Sequence, residues 1–426
     1  MSMLIGLLFA VGETAMFRGD TAHTGVYQGR AVRELHGVRW KFKTGGQVYS
    51  SPAVSDGVVF VGSTDGNLYA IDTASGQQKW KFASKGRITS SPAVHGGLVY
   101  FESYDSNFYA VDAANGELKW TFATAGERRF SAPHIHGLLP ERELMPDPFD
   151  FFLSSPAVAG GVVYFGSGDG CVYALDAGNG AMKWKFQTGG VVHASPAVAD
   201  GTVFLGSWDT YFYALDATSG VEKWKFKTGD DPVIHNQTGI QSSAAVAGGV
   251  VYFGCRDGRL YALDARSGAR VWAYDNKGSW VIGSPAIKDG TVFFTTSDSG
   301  MFRAVDARTG TEQFAISLKW PMFSSPAIAG DLLYIGSHEG RMHVIDLAKR
   351  QLAWSFQSDG SRENGATYTT ADGAPNYRAA MSSPFFDEVV AGIQKMFSVG
   401  AMLSSPAVAD GVVYIGSADG YVYAIC

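Results

Sequence analysis

The sequence predicts an all-β fold: an eight-bladed β-propeller of four-stranded antiparallel blades. Three observations predict it. One sequence unit recurs eight times, each unit reads as four short strands, and the last unit lacks a final strand that is found near the N-terminus. Regular repeats of short strands are typical of propellers.

The repeated unit reads SSPAV-x-x-G-V-V-Y-x-G-S-x-D-G-x-x-Y-A-x-D-x-x-x-G-x-x-x-W-x-F, and copies without an insertion are 40 or 41 residues apart. The copies begin at Ser50, Ser90, Ser154, Ala194, Ser242, Gly283, Ser324 and Ser404. Their closing aromatic residues are Trp80, Trp120, Trp184, Trp224, Trp272, Phe314 and Trp354. Phe314 is the one substitution in this series.

The first copy illustrates the four strands. Val58–Val61 is continuously apolar, which indicates a strand buried on both faces. Lys79–Phe82 alternates, as an outer strand does. Asp65-Gly66 and Ser75-Gly76 suit tight hairpin turns because glycine accepts positive φ. The remaining strands are predicted at Pro52–Val54 and Leu68–Ile71.

The eighth copy ends at Cys426, before its closing tryptophan. Val38–Phe42 carries the missing pattern, with Trp40 placed 40 residues ahead of Trp80. An open ring would leave unpaired strand edges, which promote aggregation. We therefore expect the N-terminal strand to complete the last blade.

Composition excludes several other classes of protein. Hydrophobic residues make up 46% and charged residues 17%, so the chain can bury a large core. The net charge of −6 argues against a nucleic-acid partner. Cys171, Cys255 and Cys426 are too far apart for a zinc ribbon or a CxxCH haem site.

Residues 1–15 are interpreted as either a signal peptide or an apolar N-terminal arm, and residues 16–426 as a single propeller. The apolar run Met3–Val11 is too short to span a bilayer, and no other segment resembles a transmembrane helix.

Three long connections interrupt the repeat, at residues 125–153, 228–241 and 357–403. All three join the fourth strand of a blade to the first strand of the next, so they should decorate one face. Within the last, Pro384–Phe397 has apolar residues at helical spacing, which predicts an amphipathic helix. Loops this long are usually functional or disordered. These are too apolar to be disordered, and we interpret them as a lid or a partner-binding platform.

The segment Ala70–Trp80 is similar to the tryptophan docking motif of the PQQ-like (quinoprotein-type) propeller superfamily. It recurs at Ala110–Trp120, Ala174–Trp184, Ala214–Trp224 and Ala262–Trp272, and more weakly at Ala304–Phe314 and Val344–Trp354. Met16–Asp20 with Thr24-Gly25 also resembles the opening of bacterial members. The resemblance implies the propeller fold. It leaves function open, because the superfamily holds quinoprotein dehydrogenases and non-catalytic binding proteins such as BamB.

Candidate site residues are departures from the repeat in the turns between strands two and three and in the connections between blades. The aspartate that recurs in seven of the eight turns is interpreted as a turn former. The funnel or ligand-binding candidates are Tyr49, Arg87, Glu102, Tyr104, His193, Trp208, His235, Asn236, Arg256, Trp280, Trp320 and His338. For Glu102 the alternative is a local ion pair with a neighbour such as Arg87.

Apolar residues of the insertions are the partner-binding candidates, if they are exposed: Phe149, Phe151, Phe385 and Phe386. If they instead pack down on the ring, the insertions are structural caps and this prediction fails. His134-Ile135-His136 invites a metal interpretation, but the nearby carboxylates have no fixed ligand spacing. We expect a polar surface loop there and no metal.

The sequence favours a non-catalytic binding or scaffold propeller that resembles BamB, located outside the cytoplasm in the bacterial periplasm or secreted. It would be a monomeric propeller within a complex, binding a protein partner through the insertion-bearing face without a cofactor. The alternative is an alcohol dehydrogenase that uses PQQ and Ca²⁺, although the chain lacks the adjacent cysteines that several such enzymes carry. A sensor or carbohydrate-binding propeller is a further alternative.

Overall fold

The computed structural model describes residues 15–229 and 239–426 of the chain. Each sequence copy forms one four-stranded antiparallel blade, and eight blades form the ring. This confirms the predicted fold class and the number of blades. The N-terminal 14 residues, which include nearly all of the predicted signal peptide or arm, lie outside the described residues.

The strands of each blade follow one another in sequence. Blade 1 comprises Ala53–Ser55, Val58–Gly62, Asn67–Asp72 and Gln78–Ala83; blade 2 Ala93–His95, Leu98–Ser103, Asn107–Asp112 and Leu118–Ala123; blade 3 Ala157–Ala159, Val162–Gly166, Cys171–Asp176 and Met182–Gln187; blade 4 Ala197–Ala199, Thr202–Gly206, Tyr211–Asp216 and Glu222–Lys227. Blade 5 comprises Ala245–Ala247, Val250–Gly254, Arg259–Asp264 and Arg270–Asp275; blade 6 Ala286–Lys288, Thr291–Thr295, Met301–Asp306 and Glu312–Ser317; blade 7 Ala327–Ala329, Leu332–Gly336, Arg341–Asp346 and Gln351–Gln357; blade 8 Ala407–Ala409, Val412–Gly416, Tyr421–Ile425 and Val38–Lys43.

The ring closes as predicted. Val38–Lys43 pairs antiparallel with Tyr421–Ile425, and Trp40 lies opposite Ala424. A second closure runs around the axis, where a backbone N–H in each blade donates to a serine Oγ of the next. The last of these bonds joins Ser405 N to Ser51 Oγ at 2.9 Å. The other serines of the ring are Ser91, Ser155, Ser195, Ser243, Ser284 and Ser325.

The fourth-strand tryptophans hold neighbouring blades together. Trp80 packs on Gly116 in the turn between strands three and four of the next blade, and its Nε1 donates to the carbonyl of Ala113 at 3.0 Å. A Cβ on Gly116 would lie 2.6 Å from the Trp80 ring, so only glycine admits this contact. The same packing recurs for Trp40, Trp120, Trp184, Trp224 and Trp272.

The N-terminal segment, from Ala15 onward, crosses the axial channel of the ring on the face opposite the insertions. It forms backbone hydrogen bonds with residues of the first strands: Val94, Val198, Val246, Ile287 and Ile328. Arg18 is fully buried there and donates to the carbonyls of Pro285 and Pro326. The N-terminal segment therefore closes one side of the channel.

The other face carries the insertions, because the turns between strands two and three pair with the connections between blades, as in Tyr104 N to Arg87 O. Residues 125–153 form short strands Ser131–Ala132 and Met145–Pro146 and a 3-10 helix Ile135–Gly137. Residues 357–403 form helices Asp359–Tyr368 (α1), Tyr377–Ala380 (α2) and Phe386–Phe397 (α3). The predicted amphipathic helix is confirmed as α3.

Helix α3 lies on the ring with Ile393, Met396 and Phe397 buried. The two long insertions also bond to each other, since Leu139 N donates to Pro384 O at 3.0 Å and Phe386 N donates to Leu139 O at 3.0 Å. They therefore form one continuous cover over this face. No helix in the described ranges is long and apolar enough to cross a membrane.

Candidate functional site

The funnel at the centre of the insertion-bearing face is filled by residues 125–153. Phe149, Phe151 and Phe152 pack against Phe323 and Phe397 in one apolar cluster. Beneath and beside this cluster lie buried charged groups, an open groove and an apolar pocket.

A buried imidazole joins the insertion to blade 3. His193 Nδ1 lies 2.7 Å from Asp150 Oδ1, and Nε2 lies 2.8 Å from Glu127 Oε1. All three side chains are inaccessible to solvent. Burial alone would lower the pKa of His193, but the two carboxylates raise it to about 10. The imidazolium donates to both and fixes the insertion in the funnel.

Glu102 lies in the same buried region. It is fully buried, and neither of its carboxylate oxygens has a hydrogen-bond partner among the described residues. Burial, and then the Glu127 carboxylate, raise the pKa of Glu102 well above its usual range. Burial and the neighbouring carboxylate therefore favour the protonated form of Glu102. The expected alternative of an ion pair with Arg87 is wrong, because Arg87 is exposed and Glu102 is not.

A second ion pair crosses the funnel. Arg256 Nη1 donates to Asp147 Oδ2 at 2.7 Å, and its Nη2 donates to Gln241 Oε1 at 2.7 Å. Both charged side chains are fully buried. Burial would raise the pKa of Asp147, but Arg256 and the imidazole of His136 hold it well below its usual range.

The guanidinium of Arg256 stacks between two tryptophans. Its Cζ lies 4.3 Å from the Trp208 ring and 4.4 Å from the Trp280 ring. Phe130 extends the stack, at 4.4 Å and nearly parallel to Trp208. His136 also contacts Trp280, with ring centroids 5.1 Å apart.

The superfamily resemblance implies a planar quinone stacked on a funnel tryptophan. One face of Trp280 does not fit that arrangement, because the guanidinium of Arg256 lies over it. The buried ion pair to Asp147 holds Arg256 in that position. No group of three or more His, Cys, Asp or Glu side chains in residues 15–229 and 239–426 is arranged to hold a metal ion.

A polar groove of about 1000 Å³ lies beside the filled funnel, between blades 1 and 2 and helix α3. Lys85, Arg87 and Arg129 line it. Arg129 is fixed by donating to the carbonyls of Asp147 and Asp150, at 2.6 and 2.7 Å. Within the described part of the chain, neither Lys85 nor Arg87 forms an ion pair.

Two tyrosines and one aspartate are among the other polar residues that line the groove. The Tyr104 hydroxyl is buried without a partner among the described residues, and burial followed by Asp150 raises its pKa well above the usual range. Tyr49 donates to Gln47 Oε1 at 2.6 Å. Asp65 accepts from Gly45 N and Tyr69 Oη, both at 2.7 Å. The groove therefore presents more positive than negative charge.

An apolar pocket of about 300 Å³ lies between the ring, the 125–153 insertion and helices α2 and α3. Trp280, Trp320 and His338 line it. Nε1 of Trp280 and Nε2 of His338 are buried and have no hydrogen-bond partner in the described ranges.

The predicted site residues thus fall into three adjoining places. Glu102, His193, Trp208 and Arg256 belong to the buried charged groups; Tyr49, Arg87 and Tyr104 line the groove; Trp280, Trp320 and His338 line the pocket. His235 and Asn236 lie outside the described residues.

The partner-binding candidates need correction. Phe149, Phe151 and Phe386 pack against the ring cluster, because the insertion is apolar enough to fill the funnel. Only Phe385 is exposed, at 53%. The loop at His134–His136 is not a simple surface loop either, since Ile135 is fully buried and His136 Nε2 lies 3.0 Å from Asp147 Oδ2.

Sequence reasoning missed the roles of Glu127, Asp147, Asp150 and Gln241. These residues lie in or beside insertions that have no repeat, so no pattern aligned them with His193 or Arg256. The only signal was an acidic insertion opposite blades that carry an unusual histidine and arginine.

A family model described as outer membrane protein assembly factor BamB matches residues 30–141, 138–356 and 256–392. The family match therefore spans most of the chain. None of the curated proteins matches the sequence.

Solved structures share the fold at low identity. BamB from Moraxella catarrhalis has a TM-score of 0.63 at 16% identity, covering 91% of this chain and 97% of that one. Quinohemoprotein alcohol dehydrogenase from Comamonas testosteroni has a TM-score of 0.68 at 15% identity, covering 96% and 80%. The computationally designed Ika8 protein has a TM-score of 0.62 at 16% identity, covering 90% and 96%. At these identities the likeness establishes the fold alone.

Proposed function

Because this chain belongs to the PQQ-like propeller family whose model is described as outer membrane protein assembly factor BamB, we propose that it is a non-catalytic, extracytoplasmic scaffold propeller. It binds a protein partner through the insertion-bearing face. The ring holds that face rigid, so little conformational entropy is lost on binding.

The groove beside the funnel carries this proposal. Lys85 and Arg87 line it without a carboxylate partner in the described chain, and Arg129 is fixed beside them by backbone carbonyls. The chain as a whole carries a net charge of −6. A local positive groove on an acidic protein favours an acidic partner segment, because complementary charge sets specificity and speeds association.

Exposed apolar side chains on the same face supply the anchors. Leu144 is 71% exposed and Phe385 is 53% exposed, and the insertions that carry them are bonded together at Leu139. Apolar anchors next to a charged rim are typical of specific protein interfaces.

The filled funnel supports the non-catalytic part of the proposal. The face of Trp280 that lies toward Trp208 is covered by Arg256, which is tied to buried Asp147. Opening it for a cofactor would break that ion pair and leave a buried charge, at a cost of about 3–5 kcal/mol.

The test begins with a photocrosslinking amino acid at Phe385 in cells that produce the intact protein, with Val221 as the matched position. Val221 is 64% exposed on the opposite face, in the turn before the fourth strand of blade 4. We expect a defined adduct from position 385 and none from position 221.

The partner identified by mass spectrometry is then purified and titrated against Lys85→Glu/Arg87→Glu and against Arg266→Glu, an exposed arginine on the opposite face. We expect the double reversal to weaken binding at least about tenfold and the control to leave it unchanged. Equal effects of both variants would overturn the role of the groove. Stoichiometric binding of PQQ and Ca²⁺ with dye-linked alcohol oxidation would overturn the non-catalytic assignment.

A further inference from the structure

The apolar pocket beside the funnel has the size and lining of a small-molecule site. Its volume of about 300 Å³ is at the lower end of ordinary ligand pockets. Insertion 125–153 forms one wall through Phe149, the ring forms another through Trp280 and Trp320, and helix α2 contributes Tyr377.

Aromatic rings meet around this space. Phe149 lies 6.1 Å from Trp280 and 6.0 Å from Phe323, both edge to face. Phe323 in turn contacts His338, with ring centroids 4.4 Å apart. Trp320 is held by donating from Nε1 to the carbonyl of Gly373 at 3.1 Å. The walls are therefore built in position before any ligand arrives.

The charge of the pocket is negative. Asp298 lines it and is exposed; its Oδ2 accepts from Ser297 Oγ at 2.8 Å, and it forms no ion pair with a described residue. No lysine or arginine is among the lining residues. His338 is uncharged, because burial lowers its pKa to about 3.

The cation that contacts the Trp280 wall belongs to a neutral pair. Arg256 contacts Trp280 but donates to Asp147, which also faces His136 Nε2 at 3.0 Å. Asp298 is thus left as the uncompensated charge at an aromatic pocket. Electron-rich ring faces together with one carboxylate attract cations that are poorly hydrated, above all quaternary ammonium groups.

We propose that this pocket binds a small ligand with a quaternary or methylated ammonium group. Trp280, Trp320 and Tyr377 surround the methyl groups, and Asp298 supplies the opposite charge. The inference is independent of the proposed scaffold function, since it uses neither the groove nor the exposed apolar anchors.

The test is calorimetric titration of the intact protein with choline and, separately, with 3,3-dimethylbutan-1-ol. The alcohol has the same shape with carbon in place of the charged nitrogen. We expect choline to bind at least about tenfold more tightly, because only the cation gains from the ring faces and the carboxylate. Equal affinities would show an apolar cavity only and overturn the proposal, as would absence of choline binding at millimolar concentration.

Two variants locate the binding. Tyr377 is 46% exposed and Asp298 is exposed, so Tyr377→Ala and Asp298→Asn should leave the fold unchanged, which a thermal melt verifies. Each should weaken choline binding about fivefold or more, while Asp289→Asn, at an exposed turn, should not. If folded variants bind choline like the unmodified protein, the ligand is elsewhere and the assignment of this pocket is wrong.

Discussion

The guanidinium of Arg350 lies over the ring of Phe314, with Cζ 5.6 Å from the ring centroid. Phe314 stands where the other blades have a fourth-strand tryptophan. Arg350, in the next blade, stands at the position where blades 1 to 6 have the glycine that receives this tryptophan. In blade 6 that glycine is Gly310, four residues after Asp306, and Arg350 is four residues after Asp346. The departures from the repeat at Phe314 and Arg350 are therefore in contact with each other across the interface between blades 6 and 7.

This pairing predicts coupled effects on stability. Phe314→Trp alone places a larger ring against Arg350, and Arg350→Gly alone removes the cation–π contact. The double variant restores the tryptophan-on-glycine packing of the other blades. We expect it to be more stable than the sum of the two single changes by about 1 kcal/mol or more, measured as a double-mutant cycle in urea. Additive effects would show that the two positions are independent.

The tryptophan-on-glycine contact can be separated from backbone strain. Gly268 has φ +73, and a Cβ there would lie 2.6 Å from the Trp224 ring. Gly201 has a similar φ of +66 but nothing within 4 Å of the added carbon. Gly201→Ala should cost about 1–2 kcal/mol from conformation alone, and Gly268→Ala should cost about 1–3 kcal/mol more from overpacking. Equal shifts of the urea midpoint in the two variants would contradict this.

The repeat made the ring predictable, because each copy carries its own strand alternation and turn residues. The closing strand at Val38–Phe42 followed from the same register, and helix α3 from its apolar spacing. The contents of the funnel could not be predicted, because they depend on pairs distant in sequence. Asp147 and Arg256 are separated by 109 positions, and nothing local to either residue specifies the other.

The Asp147–Arg256 pair should behave as a buried ion pair. Arg256→Met leaves the Asp147 carboxylate buried without its guanidinium partner, and we expect a loss of about 3–5 kcal/mol in the free energy of unfolding. Adding Asp147→Asn to this variant should recover most of the lost free energy of unfolding, because the amide carries no charge. As a control, Arg303→Met breaks a partly exposed pair with Glu312 and should cost about 1 kcal/mol or less. Failure of the double variant to recover stability would show that Arg256 acts mainly by packing between the tryptophans.

The buried groups around His193 predict that stability falls at alkaline pH. The folded-state pKa of His193 is raised from 6.5 to about 10, so its contribution is complete below pH 6.5 and is lost as the pH rises toward 10. The pKa of Glu102 is also raised by burial and by Glu127, so it too binds a proton more tightly in the folded state and acts in the same direction.

Glu102→Gln removes one of these two protonation equilibria while keeping the shape of the side chain. We expect the variant to have a higher urea midpoint than the unmodified protein at pH 8 to 9 and a shallower decline with pH, because the amide has no proton to lose. Glu117→Gln, with a side chain 70% exposed, should leave the whole profile unchanged. A Glu102→Gln profile parallel to that of the unmodified protein would mean that Glu102 is already ionised in the folded state, and the buried region beside Glu127 would then need a compensating charge.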